Sequence, residues 1–139
     1  MIHQRSITLH TAGRGPLEIT GEVARIVEDS GVGTGLCHVF LRHTSASLIL
    51  SENADPTVGK DLETAMLRLA PDGDPSNLHD TEGPDDMPAH LRSVLTANSV
   101  TIPCARGRLL LGTWQGVFLW EHRRAAHART VVVTVQGEP

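Results

Sequence analysis

The 139-residue chain has no tyrosine and only two phenylalanines and two tryptophans. A core built from it must be mostly aliphatic, and aromatic platforms for stacking nucleic-acid bases are not on offer. Cysteine is equally scarce. Cys37 and Cys104 form no C-x-x-C pair and no dense pattern, so each reads as a small buried apolar residue in a reducing cytosol. Basic residues are in deficit: 12 Lys and Arg against 16 Asp and Glu give a net charge of -4 and a pI near 6.0, which removes the footprint of a nucleic-acid binder. No apolar run approaches the ~20 residues of a membrane span, and M-I-H-Q-R-S lacks the apolar stretch of a signal peptide. A cytoplasmic protein without nucleic-acid or membrane partners is expected. G-x-x-x-x-G-K-[ST], G-x-G-x-x-G and G-x-S-x-G are all missing, so triphosphatase, dinucleotide and α/β-hydrolase readings have no support.

What is present fits one domain, residues 1–139, of the α+β class. Loose alternation over residues 2–10 predicts a first strand, closed by a turn at 12–16. Thr20 can cap a helix carrying Val23, Ile26 and Val27, which Gly31 and Gly33 stop. Residues 36–42 alternate as a strand, and Leu48 to Leu50 form another. Asp55 with Pro56 opens a second helix whose Val58, Leu62, Met66 and Leu69 should be its buried stripe. A third helix should run from an Asp86 cap to about Thr96 and bury Leu91, Val94 and Leu95. Strands over 100–103, 108–114, 116–122 and 129–135, joined by tight turns, complete an antiparallel β-sandwich with about three helices. Residues 116–122 are apolar on both faces, which predicts a central or covered strand.

One stretch answers to neither period. His79 to His90 reads H-D-T-E-G-P-D-D-M-P-A-H, with two histidines and four acids in twelve residues. Imidazoles and carboxylates in that density can hold a divalent cation or transfer protons. Asp72, Asp74 and Asp80 read as solvated loop acids, and a helix dipole alone would favour Asp85 and Asp86 by about 0.3–1 kcal/mol each. Glu82, Asp85, Asp86 and His90 read as functional, because Gly-Pro and Met-Pro fix their backbone. Further polar groups that periodicity does not place are His43-Thr44-Ser45-Ala46-Ser47, Glu52-Asn53-Ala54-Asp55 and Trp120-Glu121-His122-Arg123. Convergence of these segments on one pocket is the expectation. His3, His10 and His38 are assigned to surface or packing, and Trp114 and Trp120 to core or interface.

The strings H-T-S-A-S-L, E-N-A-D-P, H-D-T-E-G-P-D-D-M-P-A-H, L-G-T-W-Q-G and W-E-H-R, in that order, resemble the hallmarks of the YjbQ-like family, often labelled secondary thiamine-phosphate synthase. Two departures stand out: Asn77-Leu78 replaces a common aromatic before His79, and Ala126 stands where proline would precede His127. The resemblance implies a homotrimer of α+β subunits. It also implies a weak or secondary ability to join a pyrimidine methyl diphosphate to a thiazole phosphate with release of pyrophosphate. Carried over to this chain, it places His43, Asn53, Asp55, His79, Glu82, Asp85, His90, Glu121 and His122 in the family's motifs.

Such chemistry needs a cation on the departing diphosphate and donors for phosphate oxygens. The expected metal ligands are His43, His79 and His90, the catalytic groups Glu82, Asp85, His90 and Glu121, and the contacts to substrate or phosphate Thr44, Ser45, Ser47 and Asn53. Arg106 and Arg108 are either phosphate contacts or solvated turn residues. The carboxylates suit Mg2+, whereas the imidazoles suit Zn2+ and metal-assisted hydrolysis of a small phosphorylated metabolite. Binding of a metal or metabolite without turnover is the third reading.

Overall fold

A computed structural model describes residues 1–139. In chain order it contains β1 (Ile2–His10), β2 (Gly15–Glu18), α1 (Thr20–Ser30), β3 (Thr34–Leu41), β4 (Ala46–Glu52), α2 (Pro56–Leu69), α3 (Asp86–Leu95), β5 (Ser99–Ala105), β6 (Arg108–Leu109), β7 (Gln115–Glu121) and β8 (Ala128–Glu138). One sheet has the order β1-β8-β3-β5-β6 and the other β2-β7-β4, with every pairing antiparallel. The expected α+β class with three helices is what the chain adopts, and the two sheets curl into an open half-barrel around one core.

That core is aliphatic, as the shortage of aromatics requires. Val39 and Leu41 of β3, Leu48 of β4, Val117 and Leu119 of β7, and Val131, Val133 and Val135 of β8 close on Val23, Ile26 and Val27 of α1. Each such side chain contributes about 1.5–3 kcal/mol when withdrawn from water. β7 is the middle strand of its sheet, which explains its two apolar faces. Cys37 and Cys104 are buried free thiols, and burial pushes the Cys37 thiol up to about 12. No helix is long and apolar enough to cross a membrane.

Several local expectations need correction. Gly15–Glu18 is a strand rather than part of a turn; it pairs with β7 at the sheet edge, where the missing N–H of Pro16 costs no ladder bond. The strand expected over 108–114 shrinks to Arg108–Leu109, because Gly112 and Gln115 close a turn on each other instead. Thr20 does not cap α1 but is its first residue; its hydroxyl donates to Glu18 Oε2 (2.8 Å) and accepts from Val117 N (2.9 Å). Asp55 does cap α2, accepting from Thr57 N at 2.9 Å, yet no residue of α2 is fully buried and Leu69 is exposed. α3 turns its face opposite to expectation: Asp86, Pro88, Ala89 and Arg92 are buried, while Leu91, Val94 and Leu95 are exposed.

Gly35 of β3 lies opposite Gly137 of β8, and a Cβ on either would run into the partner strand's backbone at Gln136 or Thr34. Gly35→Ala should therefore strain the central strand pair by about 1–3 kcal/mol, visible as a lower urea midpoint at unchanged slope. A midpoint equal to wild type would show that the two strands are not held this close.

Candidate metal centre

The loop between α2 and α3 is folded back by three devices. Arg14 grips Asp72 through both terminal nitrogens (2.8 and 2.9 Å), so Asp72 is no solvated loop acid. Gly73, in the left-handed region at φ +68°, donates its N–H to Pro84 O (3.0 Å) and closes the loop. Asp74 accepts from Ser76 N and Oγ, making a local turn. The closed loop carries His79 back to the start of α3. On that helix Asp86 and His90 stand one turn apart and share a face.

The three side chains meet. His79 Nε2 lies 2.7 Å and His90 Nε2 3.2 Å from the same oxygen, Asp86 Oδ2. The two rings sit edge to face with centroids 5.5 Å apart, and one ligand atom from each residue lies within 4.8 Å of the others. The imidazoles are partly exposed, at 44% and 33%, whereas Asp86 is buried. Burial alone would raise the Asp86 carboxyl, but hydrogen bonding from His79 and the charge of Arg123 outweigh it and hold the group below its ordinary range. Asp86 Oδ1 accepts from Arg123 Nη1 (2.8 Å), while Arg123 Nε donates to Asp85 Oδ2 (3.0 Å) and Nη2 to Glu82 O (3.0 Å).

Two imidazole nitrogens and one carboxylate oxygen suit zinc or another transition metal better than magnesium. Both rings donate Nε2–H to one oxygen, and a divalent cation held by these three atoms would take the place of those two protons. Arg123, on the other oxygen of Asp86, would supply the outer support that a ligating carboxylate needs.

Other expected site residues have different work. The structure does not gather His43 with His79 and His90; Asp86 takes that place. His43 Nε2 accepts from Thr130 N (2.8 Å), which leaves the proton of the neutral ring on Nδ1 and no free nitrogen lone pair. Burial, with Arg129 beside it, lowers its pKa. His43 does share a solvent-open hollow with His90, together with Thr44, Ser93 and Asn98. Asp85 is held at about 2: burial opposes its charge, but the Arg124 N–H and Arg123 override it. Glu82 is exposed; its backbone oxygen accepts from Arg123, and its carboxylate makes no hydrogen bond there but adds negative charge near that guanidinium.

Glu121 is fully buried and fully committed, accepting from Thr11 Oγ1 (2.7 Å), from Arg129 Nε (2.8 Å) and Nη2, and from the backbone of His122 and Arg123. Burial opposes its charge, yet these donors leave its pKa lowered. Ser45 Oγ accepts from Arg129 at 2.9 Å. Asn53 lies elsewhere, against Glu18 (3.1 Å).

Ser47 belongs to a buried chain whose direction can be read. Thr96 donates to Arg92 O (2.7 Å), so it accepts from Ser47, and Ser47 in turn accepts from His122 Nε2 (2.6 Å). His122 is therefore the Nε2–H tautomer, with Nδ1 a lone acceptor that has no protein partner. Arg92, fully buried, donates to Glu63 Oε2 (2.9 Å), whose other oxygen accepts from Trp120 Nε1 (2.6 Å). Asp86 is among the residues the sequence marks as functional, and D-x-x-x-H puts it one helical turn from His90; Arg123 stands in the W-E-H-R string, whereas nothing in the sequence marks Arg92.

Comparison with known proteins gives one family. The model of the UPF0047 protein YjbQ-like family matches residues 5–138. A UPF0047 protein of Synechocystis is 53% identical over 98% of this chain and 92% of its own, and the UPF0047 protein YjbQ of Escherichia coli O157:H7 is 44% identical over 99% and 100%. Among solved structures, a YbjQ-like protein of unknown function from Sulfolobus solfataricus P2 superposes with TM-score 0.89 at 27% identity, covering 99% of both chains. A conserved hypothetical protein from Thermus thermophilus gives TM-score 0.86 at 36% identity, over 95% of this chain and 99% of that one.

Burial pushes the His122 imidazole from its ordinary 6.5 down to about 3, with Arg92 adding to the effect. The unfolded chain thus takes up a proton near pH 6.5 that the folded chain refuses until about pH 3. Stability from this group is intact above about 6.5 and is lost progressively below it. In urea titrations across that window, His122→Gln should lose less stability on acidification than wild type. Parallel profiles would contradict a neutral, buried His122.

Proposed function

Because the chain belongs to the UPF0047 (YjbQ-like) family, whose named relatives carry no stated reaction, we propose its function from the site: a divalent-metal-dependent enzyme acting on a small phosphorylated metabolite. The observation that carries this reading is the meeting of His79, His90 and Asp86 on one oxygen, backed by Arg123. A bound cation there supplies Lewis-acid polarisation and neutralises charge building on a phosphate or diphosphate leaving group. Asp86 and the two imidazoles hold it; Arg123, spread over Asp85, Asp86 and Glu82 O, keeps the carboxylate aimed. The neighbouring hollow brings Thr44, Ser93 and Asn98 beside His90, neutral donors that can orient phosphate oxygens without competing for the cation.

The reaction favoured by the family resemblance is thiamine-phosphate formation with pyrophosphate release, as a weak or side activity. The second reading is hydrolysis of a small phosphate ester, and the donor set is what favours it, since two imidazoles point to zinc and a metal-bound water. On either reading we place the protein in the cytoplasm, where its two buried free thiols stay reduced. We also infer a homotrimer. The exposed Leu91, Val94 and Leu95 of α3, and Leu36 and Phe40 on the outer face of β3, are apolar surface that a second copy would cover.

Three measurements test these statements. Purified protein should hold about one zinc per subunit; His79→Ala and Asp86→Asn should lose it, and Arg123→Ala should weaken it by about 10–100-fold. Equal metal content in all four proteins would end the metal reading. With both thiamine precursors, pyrophosphate release should fall to background in His79→Ala and Asp86→Asn; equal rates in all three would remove the synthase reading, and ester hydrolysis abolished by chelation would replace it. In sedimentation the wild type should run as a trimer and Val94→Glu as a smaller species, whereas a monomeric wild type would refute the assembly.

A further inference from the structure

A second cavity, lined by none of the metal-site residues, lies between β2, β4, β7 and α2 and measures about 300 Å³. Its size is at the lower end of small-molecule pockets. Ile49, Leu62 and Phe118, with Pro16 and Pro56, give it an apolar floor. The polar part is one-sided: Glu18, Glu52 and Asp55 line it, and no Lys, Arg or His does.

Each of these carboxylates is tied by one oxygen, Glu18 and Asp55 exposed at the rim and Glu52 half-buried. Glu18 uses Oε2 to accept from Thr20 Oγ1 (2.8 Å) and Asn53 Nδ2 (3.1 Å). Glu52 uses Oε2 for the backbone N–H groups of Ala54 (3.1 Å) and Asp55 (2.8 Å), and Asp55 uses Oδ1 for Thr57. The remaining oxygen of each has no protein partner, and none of the three joins a salt bridge. Nor do they gather as a metal site would, since the one group of ligand atoms within 4.8 Å of one another is His79, Asp86 and His90. The acids are spread around an apolar floor instead.

The cavity wall is also built for close approach. A Cβ on Gly116 would stand 2.6 Å from Glu18 Oε2, 3.1 Å from the Phe118 ring and 3.2 Å from Asn53 Cβ, so glycine lets these three groups converge. A Cβ on Gly59 would meet Pro16 Cγ at 3.0 Å. From these features we propose that the cavity binds a small organic cation: an ammonium or protonated nitrogen heterocycle on an apolar body. The apolar part lies on Ile49, Leu62 and Phe118, whose ring face also attracts a cation. The charged nitrogen meets the free oxygens of Glu18, Glu52 and Asp55, which no protein cation neutralises.

The test is an NMR titration of backbone amides with benzylamine and, separately, benzoate, which have similar bodies and opposite charges. Benzylamine should perturb the amides of Asn53, Asp55 and Gly116, and benzoate should not. The double variant Glu18→Gln/Glu52→Gln keeps an oxygen acceptor at each position and should bind benzylamine about tenfold more weakly. Phe118→Leu should weaken it less. His79→Ala should bind as wild type, which separates this proposal from the fate of the metal reading. Equal response to amine and acid, or full benzylamine affinity in the double variant, would overturn it.

Discussion

The geometry of the candidate centre depends on α3 being seated by its polar face. A helix with Leu91, Val94 and Leu95 at helical spacing would ordinarily bury them, yet here the buried positions are Asp86, Pro88, Ala89 and Arg92. The seat is made of hydrogen bonds. Arg92 reaches Glu63 on α2, Thr96 closes on Ser47 of β4, and Arg123 just beyond β7 holds Asp85 and Asp86. Removing one partner of a buried ion pair costs about 3–5 kcal/mol, far more than one surface contact, so this orientation is strongly specified.

From that seating the rest of the site follows. Asp86 and His90 lie on the face turned toward the loop, and the closed loop delivers His79 to them. The same choice leaves an apolar ridge outside, which a monomer has no internal means to cover. The polar seat also leaves Arg92 Nε and Nη2 and His122 Nδ1 buried without protein partners, beside the helix that carries Asp86 and His90. Glu121 makes the contrast clear. Its environment is equally buried, but five donors from four residues satisfy it, and it serves as a clasp between β7, β8 and the N-terminal segment.

Most of the sheet framework was legible in the sequence because period-two alternation and turn chemistry are local signals. Val131, Val133 and Val135 sit in the core as alternation requires, and Asp55-Pro56 starts α2 where capping rules place it. The α3 orientation was not legible: an apolar stripe normally wins, and here long-range partners at Glu63, Ser47 and Arg123 override it. The central string announced a cluster, and His79 and His90 do meet, but the choice of Asp86 over His43 depends on where the β3–β4 connection lands. There a backbone N–H from Thr130 occupies the His43 nitrogen, which no sequence pattern encodes. Glu121 and Ser47 attracted notice as polar residues at a strand end and in a hydroxyl-rich string, and both are absorbed by buried networks.

The central claim is spatial, that one cation fits among His79 Nε2, His90 Nε2 and Asp86 Oδ2 because α3 is seated on its polar face. Anomalous diffraction at the zinc edge, on crystals grown with zinc, measures this directly. The account predicts one strong peak per subunit at about 2.0–2.2 Å from those three atoms, with Arg123 still on Asp86. A peak on other residues, or Leu91 and Val94 turned into the core with no peak, would contradict it.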